Sequence, residues 1–272
     1  MRRLMTTRAV ILARGLGTRM RRTDGVTPLS DAQAAVADTG VKGLVPVGRP
    51  FLDYAISALA DAGIREVCLV VAPAHDALHE RYGFGQFSRV RIGFAVQAEP
   101  RGTADAVLAA ERWTAGEPFL VVNSDNYYPV DAMRKLAALE EPGLVAFSRG
   151  GLLNSGQISP PRVLSFAVLE LGGDYLTRII EKPTPAELDA LGPDVWVSMN
   201  CWHFDGRVFG ACRDVPVSSR GELELPLAVG LGIHRGDFRV RALRSTLPVL
   251  DLSSRGDIAS VTARLAHVEA NL

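Results

Sequence analysis

The sequence predicts an α/β fold with a mixed, mainly parallel central sheet. Short apolar runs recur along the first half of the chain, and a helical or polar segment follows each of them. This order is typical of parallel strands joined by right-handed crossover helices. The chain has 272 residues, of which 47% are hydrophobic and 22% charged, and no low-complexity linker divides it. We therefore expect one domain over residues 1–272 with a sizeable core.

Charge and cysteine content argue against several classes of partner and compartment. The formal net charge is zero, so no overall field favours nucleic acid or an anionic membrane. Three cysteines, an odd number without metal-binding spacing, favour a reducing compartment. The first eight residues lack the apolar region of a signal peptide, and the run after them is too short to cross a membrane. We expect a cytoplasmic protein, for which Met5 is an alternative start.

The first half of the chain is expected to alternate strands with helices. Residues 9–12 are an apolar run and predict a buried strand. Apolar side chains recur at helical spacing from Phe51 to Leu59, with Pro50 in the first turn and Gly63 at the end. The other expected elements are, in order, a mobile flap with one helical turn at 21–41, a strand at 66–72, a polar helix at about 75–82, a strand at 90–97, a helix capped by Thr103, and a strand at 119–122.

The second half is expected to contain more strands and fewer helices. Gly172, Gly173 and Asp174 predict a hairpin-like turn between two runs of strand character. Residues 253–268 predict an amphipathic helix, because apolar side chains recur at helical spacing. The other expected elements are strands at 144–147, 163–171, 175–181 and 195–204, a loop at 151–161, a helix at 220–234 and an extended segment at 238–242.

A glycine-containing loop after the first strand is the feature around which the other motifs are arranged. Gly15 and Gly17 allow a tight turn and a close approach of a ligand to the backbone N–H groups. Arg14 and Arg19 make the loop positive, which suits the phosphates of a nucleotide. The loop alone is weak evidence, because the dinucleotide fingerprint requires a third glycine where Met20 stands and the Walker pattern is absent. A simple turn of the chain explains it equally well.

Polar segments follow three predicted strands at the edge where ligands bind in open parallel sheets. They are the glycine loop, residues 97–103 and residues 123–126. Asp125 follows four apolar residues and its carboxylate suits Mg²⁺ held against a triphosphate, while a turn or cap is the plainer alternative. Asp251 follows another apolar run and would complete such a site, although a cap for the last helix, formed by Asp251 or equally by Ser253, is the alternative.

Three cationic side chains are candidate phosphate ligands. For Arg19 and Lys42 the usual fate of such residues, solvation at the surface, is the alternative. Lys182 lies between Glu181 and Pro183, so an acidic and a basic side chain stand side by side at the end of a predicted strand. An exposed ion pair of little value to stability is the alternative explanation for that arrangement.

Together these motifs resemble the sugar nucleotidyltransferases, also called nucleotide-sugar pyrophosphorylases, over nearly the whole chain. Each matching segment is short, and the specificity of the match lies in the order and spacing of the segments. They are GLGTRM at 15–20, KGLVPV at 42–47, Gln97 with GTADA at 102–106, NSDN at 123–126, EKP at 181–183, SMNCW at 198–202, GELELP at 221–226 and VLD at 249–251.

The resemblance implies a Rossmann-like, three-layer α/β/α nucleotide-diphospho-sugar transferase fold. The nucleotide-binding half would cover about 1–147 and the sugar-phosphate-binding half about 148–272. The implied enzyme is a sugar-1-phosphate nucleotidyltransferase, which uses Mg²⁺ to condense a nucleoside triphosphate with a sugar 1-phosphate by in-line attack on the α-phosphate, giving an NDP-sugar and pyrophosphate. These two substrates are the expected partners, without nucleic acid or membrane, and a homo-oligomer is left open.

The resemblance also assigns roles to individual positions of this chain. On the sugar side, Glu181 would bind sugar hydroxyls, Lys182 would bind the sugar phosphate, and Asn200 and Glu222 would line the pocket. The expected positions on the nucleotide and metal side are Gly15, Gly17 and Thr18 around the triphosphate, Arg19 at the departing pyrophosphate, Lys42 at phosphate, Gln97, Gly102 and Thr103 toward the nucleobase, and Asp125 and Asp251 at Mg²⁺. The expected catalytic residues are Arg19, Lys42, Asp125 and Lys182.

Two other functions compete with this one. A catalytically silent relative would bind nucleotide sugars and regulate a partner enzyme, and the presence of all the expected catalytic residues argues against it. A nicotinamide-dependent oxidoreductase is disfavoured by the missing third glycine. The motifs define neither the nucleobase nor the sugar. They also leave open the role of Arg14, which stands where the family usually has alanine or glycine.

Overall fold

The apolar runs of the sequence form the strands of one nine-stranded sheet and of a separate two-stranded ribbon. The structure, a computed structural model, describes residues 5–23, 25, 27–154, 157–192 and 194–272. Its strands are β1 Arg8–Leu12, β2 Glu66–Val71, β3 Arg91–Val96, β4 Phe119–Asn123, β5 Asn126–Tyr127, β6 Gly143–Ser148, β7 Ala167–Gly172, β8 Tyr175–Ile180, β9 Trp196–Phe204, β10 Arg241–Ser245 and β11 Leu250–Asp251.

The large sheet has the strand order β3-β2-β1-β4-β9-β6-β10-β8-β7, so the second half of the chain inserts β9 between strands of the first half. Strands β1 to β4 are mutually parallel, and β9 and β8 run opposite to their neighbours. The sheet is therefore mixed, with its parallel part contributed by the strand-then-helix region. In the ribbon, β5 pairs antiparallel with β11.

Helices cover both faces of the sheet. Ala9 and Ile11 of β1 contribute to one apolar cluster, and Val10 and Leu12 contribute to another, as expected when successive side chains of a strand point to opposite faces. The helices are α1 Thr18–Arg21, α2 Asp31–Thr39, α3 Phe51–Asp61, α4 Asp76–Tyr82, α5 Thr103–Ala109, α6 Glu111–Thr114, α7 Val130–Ala137, α8 Arg149–Asn154, α9 Pro160–Val163, α10 Pro185–Ala190, α11 Val208–Asp214, α12 Leu225–Arg235 and α13 Ile258–Leu265, with 3₁₀ turns at Lys42–Leu44 and Arg255–Asp257.

The prediction of a single helical turn in the flap at 21–41 is wrong. Helix α2 spans nine residues there and is stabilised by a capping box, in which Ser30 and Gln33 exchange side-chain-to-backbone hydrogen bonds. The helix buries only Ala37 fully, so its sequence carries little apolar periodicity. Asp24 and Val26, also within the predicted flap, lie outside the described residues.

Several other boundaries differ from the predictions. Thr103 is the first residue of α5 rather than its cap, and its hydroxyl accepts a hydrogen bond from the Leu225 N–H at 2.8 Å. The predicted loop at 151–161 contains most of α8 and the start of α9. Residues 155 and 156 lie outside the described residues. The shifted elements are β7, which begins at Ala167, α12, which begins at Leu225, β10, which covers Arg241–Ser245, and α13, which begins at Ile258 after a 3₁₀ turn. None of the described helices combines the length and the apolar character needed to cross a bilayer.

Candidate active site

Two adjoining cavities open at the carboxyl ends of the parallel strands. The large cavity has a volume of about 380 Å³ and the small cavity about 210 Å³. Both are lined by Arg19, Thr103, Asn200 and Glu222, so the two spaces share a wall. The other predicted site residues in the large cavity are Gly15, Gly17, Thr18, Lys42, Gln97, Gly102 and Asp125, and those in the small cavity are Glu181 and Lys182. Asp251 lines neither cavity.

The glycine loop turns from β1 into the short helix α1. Gly17 has φ 61° and precedes the first residue of that helix. A Cβ at Gly17 would lie 2.0 Å from the carbonyl oxygen of Gly40, at the end of α2. A Cβ at Gly15 would meet no atom within 4 Å. Glycine is therefore sterically required at the second position of the motif, and the first position leaves its backbone open to a ligand.

Replacement of Gly17 by alanine is expected to lower the free energy of unfolding by at least about 1–2 kcal/mol, the cost of a left-handed backbone in an L-residue. The clash with Gly40 would add to this cost. Urea unfolding curves of Gly17→Ala, with Gly15→Ala as the matched control, measure the effect. We expect the control to match the wild type, and equal losses in both variants would contradict the steric argument.

Arg14 connects the glycine loop to the end of β3. Its Nε donates to the carbonyl oxygen of Gln97 at 3.2 Å, and its Nη2 donates to that of Ala98 at 3.3 Å. Burial and then the charge of Arg14 lower the pKa of His75. Arg14 thus holds the two segments that follow β1 and β3 together at one edge of the sheet.

The side chain of Gln97 has a defined amide orientation. It is buried, and its Nε2 donates to the Gly102 carbonyl oxygen at 3.0 Å and to Asp105 Oδ2 at 2.8 Å. A carboxylate and a carbonyl accept hydrogen bonds and cannot donate them, so the nitrogen must face them. Gln97 lines the large cavity, and its Oε1 atom accepts no hydrogen bond from the described residues.

Lys42 and Asp125 form an ion pair at the floor of the large cavity. Lys42 Nζ lies 2.8 Å from Asp125 Oδ2, and about a fifth of each side chain is exposed, 18% for Lys42 and 21% for Asp125. The 3₁₀ turn at Lys42–Leu44 presents the lysine, and the end of β4 presents the aspartate. Oδ1 of Asp125 accepts no hydrogen bond from the described part of the chain.

Asp251 is brought beside Asp125 by the two-stranded ribbon. Asp251 pairs with Asn126, and the Leu252 N–H donates to the Asp125 carbonyl oxygen at 2.8 Å. Oδ1 of Asp251 accepts from Asn126 Nδ2 at 3.1 Å and from Ser253 Oγ at 2.9 Å. Burial and then the negative charge of Asp125 raise the pKa of Asp251 to about 6. The ribbon therefore brings together two acidic residues that were predicted from distant segments.

The small cavity is rich in carboxylates that surround one arginine. Arg220 Nη1 lies 2.9 Å from Glu224, its Nη2 donates to Glu222 at 2.9 Å, and its Nη1 lies 3.9 Å from Glu181. Arg220 and Glu224 were not among the predicted site residues, although both belong to or adjoin the 221–226 motif. Arg220 supplies the small cavity with a cation in addition to Arg19 and Lys182.

Two residues that line the small cavity have left-handed backbones. Lys182 has φ 48° and Asn200 has φ 55°, values that non-glycine residues adopt infrequently. Asn200 Oδ1 accepts a hydrogen bond from the Trp202 indole at 3.1 Å, which fixes the asparagine amide against the core. Such strained positions cluster at functional sites, and here they direct two of the predicted sugar-side residues into the cavity lining.

The pKa of Glu181 is raised to about 7 by burial and then by the charge of Glu224. Between about pH 4.5 and 7 the folded protein then binds more protons at this site than the unfolded chain, so stability falls as pH rises through that range. We expect Glu181→Gln to remove this slope. The difference in unfolding free energy, variant minus wild type, should increase from pH 4.5 to 7 in urea titrations, and a difference independent of pH would contradict the assignment.

Comparison with known proteins identifies the family of this chain. Residues 8–241 match the model of the nucleotidyl transferase family. The chain belongs to this family. It is 28% identical to a glucose-1-phosphate thymidylyltransferase of Neisseria meningitidis over 96% of this chain and 83% of that protein, and 27% identical to one of an Actinoplanes species over 92% of this chain and 75% of that protein.

The nucleotidyltransferase also resembles solved structures. A UDP-glucose pyrophosphorylase complexed with UDP-glucose superposes with a TM-score of 0.74 and 16% identity, covering 97% of this chain and 100% of that one. The UTP-bound enzyme of Acinetobacter baumannii gives a TM-score of 0.70 and 18% identity over 98% of this chain and 96% of that one. These likenesses show an α/β nucleotidyltransferase fold. The comparisons confirm the predicted family and the predicted class of enzyme, and they do not favour the silent alternative.

Members of the nucleotidyltransferase family generally use a divalent metal ion. Among the described residues, no group of three or more histidine, cysteine, aspartate or glutamate side chains could hold one. The chemistry of Asp125 and Asp251 nevertheless fits a cation that takes its other ligands from phosphate and water, as Mg²⁺ usually does. Oδ2 of Asp251 is buried beside Arg162, and Oδ1 of Asp125 accepts no hydrogen bond from the described residues. The roles given to the individual site residues stay predictions.

Proposed function

We propose that this nucleotidyltransferase condenses a nucleoside triphosphate with a sugar 1-phosphate, giving an NDP-sugar and pyrophosphate. The observation that carries the proposal is the pair of joined cavities with cations on both sides of the shared wall. Lys42 lines the large cavity, Lys182 and Arg220 line the small one, and Arg19 lines both. Two polyanions must meet in this reaction, so cations at the junction are what the chemistry requires.

In the proposed reaction an oxygen of the sugar 1-phosphate attacks the α-phosphate, and pyrophosphate leaves in line. The nucleophile is already an anion at neutral pH, so the chain need not supply a general base. Catalysis then consists mainly of positioning and charge stabilisation. We assign the triphosphate to the glycine loop with Arg19 and Lys42, and the sugar phosphate to Lys182 and Arg220.

Asp125 and Asp251 are the residues that would hold Mg²⁺. The cation would neutralise charge on the phosphate oxygens. In the protein itself, Lys42 pairs with the Asp125 carboxylate at 2.8 Å and orients it in the lining of the large cavity. Glu181, Asn200 and Glu222 would contact sugar hydroxyls in the small cavity.

The fixed amide of Gln97 supports a preference among nucleobases. Its free Oε1 can accept a hydrogen bond from a ring N–H, which uracil, thymine and guanine carry on their pairing edge. Adenine and cytosine present a ring nitrogen that accepts instead, and it would face an acceptor here. The relatives with thymidylyltransferase and UDP-glucose pyrophosphorylase activity agree with a base of the first kind. We therefore propose dTTP or UTP as the nucleotide.

The proposal also covers the form of the fold, its division into two halves and the compartment of the protein. The helices on both faces of the mixed sheet support the three-layer, Rossmann-like form of the fold. The distribution of cavity residues supports a nucleotide-binding half before about residue 148 and a sugar-phosphate-binding half after it. The cysteines Cys68, Cys201 and Cys212 are buried free thiols, which suits a reducing compartment such as the cytoplasm.

Pyrophosphate release from a panel of nucleoside triphosphates and sugar 1-phosphates tests the proposal. We expect release with dTTP or UTP and at least one sugar 1-phosphate, in the presence of Mg²⁺, and much less with ATP or CTP. Binding of a nucleotide sugar without release from any pair would support the silent alternative. Equal rates with all the triphosphates would refute the role of Gln97 and leave the reaction class intact.

Lys182→Ala is expected to raise the KM for the sugar 1-phosphate more than the KM for the nucleotide, because Lys182 lines the small cavity and not the large one. We expect the KM for the sugar 1-phosphate to rise roughly tenfold or more, which corresponds to the loss of one charge-assisted contact. Lys135→Ala, at an exposed position of α7, is the matched control and should leave both constants unchanged. Equal effects of Lys182→Ala on the two constants would contradict the assignment.

A further inference from the structure

We propose that Arg162 is a positioning residue that serves as the internal counter-ion of Asp251 and competes there with a divalent cation. A cation alone would then bind this enzyme weakly, and it would bind well once a polyphosphate brings additional negative charge. The inference rests on the proposed function in one respect only, the expectation of a cation at Asp125 and Asp251.

Arg162 reaches the ribbon from the short helix α9. Its Nη2 lies 2.6 Å from Asp251 Oδ2, its Nη1 donates to Asp257 Oδ1 at 2.5 Å, and its Nη2 donates to Asp257 Oδ2 at 3.1 Å. Asp257 is itself fixed, because its Oδ2 accepts the N–H groups of Ser253 and Ser254 at 3.0 and 2.7 Å. The guanidinium is thus anchored on the Asp257 side and faces Asp251 as a charge.

The contact with Asp251 is a buried ion pair at hydrogen-bond distance. Arg162 Nη2 lies 2.6 Å from Asp251 Oδ2. Oδ1 of Asp251 is already engaged by Asn126 and Ser253. A divalent cation at Oδ2 must therefore share that atom with Arg162 or displace the guanidinium from it.

Each of the two predicted metal ligands consequently has its own protein cation. Asp125 is paired with Lys42, and Asp251, with a side chain 3% exposed, is paired with Arg162. Arg162 avoids the large cost of an unpaired buried carboxylate when no metal is present. The same positive charges repel an entering divalent cation. A bound triphosphate would offset that repulsion, so cation and nucleotide should each strengthen the binding of the other.

The test is a titration of the whole protein with Mn²⁺ alone, with the free ion followed by electron paramagnetic resonance. We expect Arg162→Gln to bind Mn²⁺ about tenfold more tightly than the wild type, within the usual range of coupling between neighbouring sites. Arg162→Lys keeps the charge and should resemble the wild type. In the double variant Arg162→Gln with Asp251→Asn, the gain in Mn²⁺ affinity should disappear. Affinity in Arg162→Gln that is unchanged or lower would overturn the proposal and leave Arg162 a purely structural residue.

A second measurement keeps the proposal testable if Arg162→Gln does not fold. The Nε–H resonance of Arg162 in the unaltered protein should shift when Mg²⁺ and a nucleoside triphosphate are added together, and Mg²⁺ alone should shift it much less. No shift under either condition would overturn the proposal. The failure of the proposed function is a separate result, because it concerns pyrophosphate release and not the binding of Mn²⁺.

Discussion

Replacement of Arg19 by glutamine is expected to lower kcat/KM by roughly 10²- to 10³-fold, the usual cost of removing one preorganised group that stabilises developing charge. Among the described arginine and lysine residues, Arg19 is the one that lines both cavities. It makes no ion pair with the described residues, so its removal should not alter the fold.

Arg22→Gln is the matched control for this prediction. Arg22 lies three residues further along the chain, is exposed and lines neither cavity. Steady-state kinetics of both variants, together with their thermal unfolding, separate a catalytic effect from a structural one. Similar activities of the two variants would show that Arg19 contributes only to the overall positive charge near the loop, and they would contradict its role at the reacting phosphates.

Asp125→Asn is expected to reduce turnover by a similar factor, roughly 10²- to 10³-fold. The substitution removes the negative charge that orients Lys42 at 2.8 Å, and it removes one predicted ligand of the divalent cation. The amide has nearly the same volume as the carboxylate, so the surrounding strands should be unaffected.

Two further variants sharpen this test. Asp131→Asn, at an exposed position of α7, should behave as the wild type. Asp251→Asn should reduce turnover severely as well, since the ribbon places Asp251 opposite Asn126, the residue that follows Asp125. Wild-type activity of Asp251→Asn would refute its metal role, and an undiminished response to Mg²⁺ in Asp125→Asn would refute the role of Asp125.

Local sequence signals predicted much of the sheet and of its ligand-binding edge. The apolar runs that became β1, β2 and β4 are continuous because both of their faces are buried, and the polar residues that follow them could be placed at one edge from topology alone. Gly17 and Asp125 were found in this way. The structure places both in the lining of the large cavity.

The features that the sequence did not reveal depend on contacts between distant segments. Arg162 lies between the loop predicted at 151–161 and the strand predicted from residue 163, and its importance arises only from packing against β11 and the turn at Asp257. Arg220 precedes the 221–226 motif by one residue, and its place in the site arises from its contacts with Glu181 and Glu224. Helix α2 was the exception, since its capping box from Ser30 to Gln33 is a local signal that weak apolar periodicity obscured.

The arrangement of acidic and basic groups around one polyphosphate is tested most directly by a crystal structure with a bound nucleotide sugar and Mg²⁺. We expect the base edge at Gln97, the diphosphate between Arg19 and Lys182, and one cation in contact with both Asp125 and Asp251. A diphosphate bound outside the two cavities, or Asp125 and Asp251 without a common cation, would contradict the account.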